Sequence, residues 1–303
     1  MSADSSRLRN TQANVDHLAY FCCPAWEIDG WQASREISLP MDDIGFRQGV
    51  TAVERLRTYN GKLFLLDQHL ERLAETLRLI QIQGAPSCER LKELAIQCIH
   101  RNQDWMRNQD CGLTIWMTPG CQPGQPTWAI HLNRIDHAMV AHRRKHGQPL
   151  VVTQVQQPAP ECWSRHAKVR SRLHYYLADQ HAKQIAPDAT GVLIDCDGSL
   201  TETSIANIAI VLDGTLVFAP SEKVLRGVTE NHVWTLLSEN GVAITRQRIP
   251  PEALDEASEV LFFGTDTGVW FSNGAPERRL VYRCGSMCSF VQQVFDRSIP
   301  YSE

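Results

Sequence analysis

A chain of 303 residues in which 43% of side chains are hydrophobic holds enough apolar surface for one large core or two moderate ones, and its length favours two domains. Its formal charge of −4, spread over interspersed acidic and basic residues with an isoelectric point near 6.3, lacks the basic footprint that nucleic acid requires. No apolar run approaches the roughly 20 residues that cross a bilayer, and the ten cysteines have neither zinc-type spacing nor an apolar leader before them, so they read as free thiols of a cytoplasmic protein without a metal.

Residues 1–16 are rich in Ser, Asn and charge without an apolar period, the pattern of a mobile arm. Order is expected from Leu18, with two paired strands up to residue 39 turning at Asp29-Gly30. Asp43-Ile44-Gly45-Phe46 leads into Gly49-Val50 and a strand over residues 53–59 that stops at the turn Asn60-Gly61. Alternation puts Arg55, Arg57 and Tyr59 on one face of that strand. Asp67 is placed to cap a helix whose Leu70, Leu73, Leu77 and Ile80 form a buried stripe, with Arg72 off it. Ser87 caps a second helix carrying Leu91, Leu94, Ala95 and Cys98. Strands over 113–117 and 128–132 follow, joined by a stiff Gly- and Pro-rich loop at 118–126. The polar stretch 134–147 breaks the apolar pattern and is expected to link a small N-terminal α/β domain, 17–140, to a larger C-terminal one, 148–303.

In the second half a strand over 150–155 precedes Lys168, which stands after a Pro- and Cys-bearing loop and is expected to open the helical stretch 173–183. Strands at 191–195 and 205–212 flank Glu202, with turns at Asp197-Gly198 and Asp213-Gly214. Leu225-Arg226-Gly227-Val228-Thr229 then opens a helix bearing Val233, Leu236 and Leu237. Exposed amides at such an N-terminus suit an anion. A strand at 259–263 runs into the turn Gly264-Thr265-Asp266-Thr267-Gly268.

Lysine is the side chain that forms a Schiff base with a carbonyl, and a carboxylate is the partner a pyridine nitrogen needs. Lys168 followed at its fourth and fifth positions by Arg172 and Leu173, Glu202 followed five residues on by Asn207, the string Leu66 to Leu73 with His69 and Arg72, Arg226-Gly227-Val228-Thr229, and the Gly264-Thr265 turn occur in one order. This ensemble resembles the class IV (fold type IV) pyridoxal phosphate (PLP) enzymes: the branched-chain and D-amino-acid aminotransferases and aminodeoxychorismate lyase. The resemblance runs from about residue 43 to residue 271 and implies two α/β domains with PLP in the cleft between them, and a homodimer.

It further implies that Lys168 holds PLP as a Schiff base and acts as base, that Glu202 faces the pyridine nitrogen, and that Asn207 belongs to the Glu202 motif. Arg72, Val228, Thr229, Thr265 and the amide of Asp266 then anchor the phosphate, the Asp266 carboxylate pointing away. Arg57 or Tyr59 is expected to hold the substrate carboxylate, because Thr118-Pro119-Gly120 offers no charge in the pocket loop. The expected reaction is transamination between an L-amino acid with an apolar or modest side chain and a 2-oxo acid. The alternatives are an aminodeoxychorismate-lyase-like β-elimination and a non-catalytic PLP-fold protein.

Overall fold

The structure, a computed structural model, describes residues 16–300, so the expected arm lies outside the described residues except for Asp16. Asp16 is tied down, its carboxylate accepting a hydrogen bond from Ser34 Oγ at 2.5 Å.

The N-terminal half is an antiparallel sheet in the order β2-β1-β6-β5-β3-β4. Its strands are β1 (Leu18–Cys23), β2 (Ile28–Ala33), β3 (Ala52–Tyr59), β4 (Lys62–Leu63), β5 (Cys111–Gln122) and β6 (Gln125–Arg134), with a five-residue helix α1 (Ile44–Gln48) leading into β3. The first hairpin turns at Pro24–Trp26 and a left-handed Glu27, whereas Asp29 and Gly30 pair inside β2 with Cys22 and Phe21. Proline at the start of the tight turn outweighs the Asp-Gly signal. The stretch expected as a stiff loop is mostly strand, since β5 runs on to Gln122 and only Pro123-Gly124 turns the chain.

Helices α2 (Leu66–Leu79) and α3 (Cys88–Arg101), followed by the short α4 (Gln103–Met106), cover one face of this sheet. The stripe Leu70, Leu73 and Leu77 meets Leu56, Leu94 and Leu113 in one core, where truncating Leu73 to Ala removes about 2–5 kcal/mol. Ser87 caps α3 by accepting from the Arg90 amide at 3.2 Å. Asp67 does not cap α2; it lies in the first turn and pairs with Lys92 at 2.6 Å, while Leu65 in left-handed conformation starts the helix.

Where a linker was expected, a helix α5 (His137–His146) forms, capped by Asp136 and ended by Gly147 at φ +77°. It buries no residue fully. A helix held by its caps and termini needs no apolar stripe, which is why the pattern reads as a break.

The C-terminal half is built from β7 (Gln148–Gln156), α6 (Leu173–Ile185), β8 (Thr190–Ile194), β9 (Leu200–Thr203), β10 (Asn207–Leu212), β11 (Thr215–Phe218), α7 (Val228–Glu239), β12 (Ile244–Arg246), α8 (Ala253–Glu256), β13 (Glu259–Gly264), β14 (Gly268–Ala275), β15 (Leu280–Val281) and α9 (Ser286–Ser298). The strands run β12-β11-β10-β13-β14-β7-β8-β9. β9 then returns to β10 through a single pair, Glu202 with Asn207, which closes six strands into a ring. Central strands are apolar on both faces: Ile208 and Ile210 of β10 point into one core, Ala209 and Val211 into the other. The closing pair is polar, and the candidate site is built on it.

Candidate active site

Lys168 does not open α6; it lies five residues before Leu173, on an extended segment that pairs with the start of β3. Its carbonyl accepts from the Val53 amide at 3.0 Å, Arg170 donates to Thr51 O at 2.9 Å, and the Lys168 amide donates to Thr76 Oγ1 of α2 at 3.1 Å. The lysine thus belongs to the C-terminal half by sequence but is fastened to the N-terminal one, as a strut across the cleft. The loop before it is pinned by Arg165, which donates to Pro158 O, Lys223 O and the Asp195 carboxylate, the last at 2.6 Å. Desolvation, helped by the nearby Arg72 guanidinium, pushes the Lys168 amine down to about 8. A sizeable fraction of the amine is therefore neutral near physiological pH, the form that attacks a carbonyl.

Glu202 is buried on β9 and receives donors from four directions. Tyr175 O–H and Gln157 Nε2 each donate to its Oε1 at 2.7 Å, Asn207 Nδ2 donates to Oε2 at 3.2 Å, and the Leu225 amide approaches both oxygens. Burial pushes its carboxyl upward, and the Tyr175, Leu225 and Gln157 hydrogen bonds and the Lys168 charge pull it back.

Across from this carboxylate α7 begins at Gly227 with no side-chain cap, leaving its first amides to an outside acceptor. A Cβ on Gly227 would stand 2.0 Å from Asn207 Oδ1, so only glycine lets the turn seat against the closing pair. Arg72 reaches the same end. Its Nε and Nη2 donate to the buried Glu54 at 3.0 and 2.6 Å, its Nη1 to Arg226 O at 3.1 Å, and His69 Nδ1 lies 2.9 Å from the same Glu54. The Glu54 carboxylate and the Arg226 carbonyl set Arg72 in one orientation while leaving donor capacity toward the cleft.

Lys168, Glu202, Arg72, Asn207, Val228, Thr229 and Thr265 line one cleft that encloses about 450 Å³ of open space, solvent at its mouth included. Asp266 sits beside it with its carboxylate turned onto Arg55, Nε to Oδ1 at 2.9 Å and Nη2 to Oδ2 at 3.0 Å, while its carbonyl accepts from Arg57 Nη1. Arg55, Arg57 and Tyr59 do share a face, but that face meets the Asp266 turn and a core. The Tyr59 ring lies under the Arg57 guanidinium at 3.9 Å and packs on Phe64 and Phe295. Neither Arg57 nor Tyr59 lines the cleft, which corrects the substrate role expected of them. The guanidinium groups that do line it near Lys168 are Arg72 and Arg172, the latter donating to Ser204 O and stacked 4.4 Å over Tyr175.

Tyr175, Gln157 and Glu54 were missed by sequence reading. Glu54 had a signal, since a charged residue alternating with Ala52 and Leu56 on a core-facing strand needs a buried partner. Tyr175 and Gln157 had none.

The family described as amino-transferase class IV matches residues 51–271. The chain belongs to this family. The branched-chain-amino-acid aminotransferase-like protein 1 of Arabidopsis thaliana is 25% identical over 223 residues, 72% of this chain but 40% of that protein, so the chain spans less than half of that relative. The aminodeoxychorismate lyase of Bacillus subtilis is 25% identical over 230 residues, 72% of this chain and 74% of the lyase. Among solved structures, the branched-chain aminotransferase of Thermoproteus uzoniensis with norvaline aligns with a TM-score of 0.82 at 18% identity, covering 93% of this chain and 94% of that one. The architecture is that of the fold type IV class: two mixed α/β domains with the cleft between them.

Proposed function

We propose that this class IV chain is a PLP-dependent aminotransferase that exchanges an amino group between an amino acid and a 2-oxo acid at Lys168. The observation that carries the reading is the set of groups around one cleft: an amine pushed down to about 8, a buried carboxylate, and an uncapped helix N-terminus with Arg72 beside it. These fit PLP group by group, the amine its aldehyde, Glu202 its ring nitrogen, and the amides of Val228 and Thr229 with Arg72, Thr229 and Thr265 its phosphate. When bound, PLP supplies the electron sink that makes the substrate α-proton removable.

The chain's own residues do the rest. Lys168 would serve as the base that takes the substrate α-proton and gives it back, work suited to a group whose pKa lies near the operating pH. Glu202 holds a proton on the ring nitrogen. Arg172, rather than Arg57 or Tyr59, offers its guanidinium to the substrate carboxylate from the cleft wall. Leu173, Tyr176 and Leu177 on α6 and Ile205 at the lip of the cleft are exposed apolar side chains, which supports a homodimer formed around the cleft. No helix among the described residues is long and apolar enough to cross a membrane, and ten unpaired cysteines suit a reducing, cytoplasmic setting.

Likeness over 74% of a lyase's length supports a second reading, in which the same lysine drives β-elimination from an aminodeoxychorismate-like substrate. Borohydride reduction of the PLP-loaded protein followed by peptide mapping should put the pyridoxyl label on Lys168. A label on Lys183 or Lys223 refutes the site. A panel of amino donors then separates transfer to a 2-oxo acid from release of pyruvate.

A further inference from the structure

The donors on Glu202 are unevenly shared. Oε1 takes the two short bonds, from Tyr175 and Gln157 at 2.7 Å, and the Leu225 amide at 3.2 Å; Oε2 takes only Asn207 at 3.2 Å and the Leu225 amide at 3.1 Å. The Asn207 and Leu225 contacts come from the closing pair of the ring and its adjoining turn. Tyr175 and Gln157 come from elsewhere, the first turn of α6 and the residue just past β7. A carboxylate taken this far out of water reverts to its neutral form unless such bonds hold the charge.

Tyr175 is built to stay a donor. Its ring has the Arg172 guanidinium over it at 4.4 Å and the tilted His174 ring at 4.2 Å, and burial beside Glu202 raises its own pKa well above the usual phenol range. His174 is pushed down to about 4 by burial, so it adds no charge at neutral pH. The other charges that act on this group are Lys168 and Arg172 from its own side of the cleft and Glu230 of α7, itself held by Arg246 at 2.6 Å.

We propose that Tyr175 and Gln157 are positioning residues for Glu202: they saturate one carboxylate oxygen from behind, keep the group an anion, and leave the other oxygen to face the ring nitrogen of the cofactor. The inference rests on the reading of Glu202 given above. It predicts a tuned nitrogen rather than a merely well-packed one. A protonated ring nitrogen repels a second proton on the lysine nitrogen conjugated to it, so weakening Glu202 as an anion lets that second proton bind at higher pH.

The test is a spectrophotometric pH titration of the PLP-loaded protein, with Tyr175→Phe, Gln157→Leu and, as control, Tyr176→Phe, an exposed neighbour on the same helix. Loss of a hydrogen bond to a charged group moves its acceptor by about one to two pKa units. The midpoint of the lysine-bound chromophore should therefore rise by roughly half a unit or more in Tyr175→Phe and in Gln157→Leu, and stay put in Tyr176→Phe. With a cofactor analogue carrying carbon in place of the ring nitrogen, wild type and Tyr175→Phe should titrate alike. Variants that lose cofactor or thermal stability while keeping the wild-type midpoint overturn the proposal, as does a shift that persists with the analogue. Should Tyr175→Phe fail to fold, Gln157→Leu carries the same comparison. If wild type itself shows no chromophore that Lys168→Ala abolishes, the assignment of the site fails instead, a separate outcome.

Discussion

Replacing Glu54 by Gln tests whether the anchor of the cleft is electrostatic. Glu54 has no solvent exposure, and it holds Arg72, whose side chain is 10% exposed, through two bonds at 3.0 and 2.6 Å, with His69 at 2.9 Å and the Arg55 amide at 2.8 Å on the same oxygen. Glutamine fills the space but presents an NH₂ group where Arg72 needs an acceptor. Breaking a buried pair on one side costs about 3–5 kcal/mol, because the remaining charge stays out of water. Taking the lower figure, the Tm of a chain this size falls by roughly 5 °C, and PLP dissociates faster because Arg72 is no longer held. The sign of the pH dependence follows from the carboxyl, held far below its usual range by Arg72 and His69 against burial. A depressed folded-state pKa contributes stability that is complete above the unfolded pKa of about 4.3 and is lost as pH falls toward the folded value. The difference in Tm between wild type and Glu54→Gln should be flat from neutral pH down to about 5 and narrow below that. Thermal melts of the apo-protein across this range decide it. A fall of less than about 2 °C at neutral pH, or a difference that grows on acidification, refutes the account.

Arg72→Ala should raise the PLP dissociation constant roughly tenfold or more, whereas Arg78→Ala, whose partner is the exposed Glu75 at 2.7 Å on the same helix, should leave it unchanged; equal losses on dialysis remove any special role for Arg72. In the apo-protein Lys168 should react with a carbonyl reagent with a pH midpoint near 8, against 10.5 for an ordinary lysine, and a midpoint near 10 contradicts its placement. Arg55→Ala and Asp266→Asn should each weaken PLP binding by loosening the 264–268 turn, and the double variant should be little worse than either, since both break one pair; additive losses measured by fluorescence titration show that the pair does not act as a unit.

Much of the fold and of the cleft was legible because its signals are local. The stripe Leu70, Leu73 and Leu77 has a helical period, Ser87 caps where it stands, and Gly227 precedes a helix that its own residues initiate. Lys168, Glu202, Arg72, Asn207, Val228, Thr229 and Thr265 were found through motif spacing and meet in one cleft. What escaped depends on contacts that leave no period. Tyr175 and Gln157 reach Glu202 from 27 and 45 residues away, and neither has a neighbour pattern that announces it.

The β3 strand shows where sequence reasoning stops. Alternation put Arg55, Arg57 and Tyr59 on one side correctly, yet it carries no information about what that side will meet. The structure sets it against the turn at Asp266, so the carboxylate that looked misplaced beside a phosphate is the counter-ion of Arg55, and the Asp266 carbonyl occupies Arg57. Arg55 and Arg57 on one side and Asp266 on the other sit about 210 residues apart in sequence and form a single clamp between the two halves. A cleft that must hold a phosphate gains from such a clamp, because the turn bearing Thr265 is fixed before the ligand arrives and less conformational freedom is lost on binding. The same residues are thereby spent on shaping the turn beside the cleft, whose own wall carries the guanidinium groups of Arg72 and Arg172.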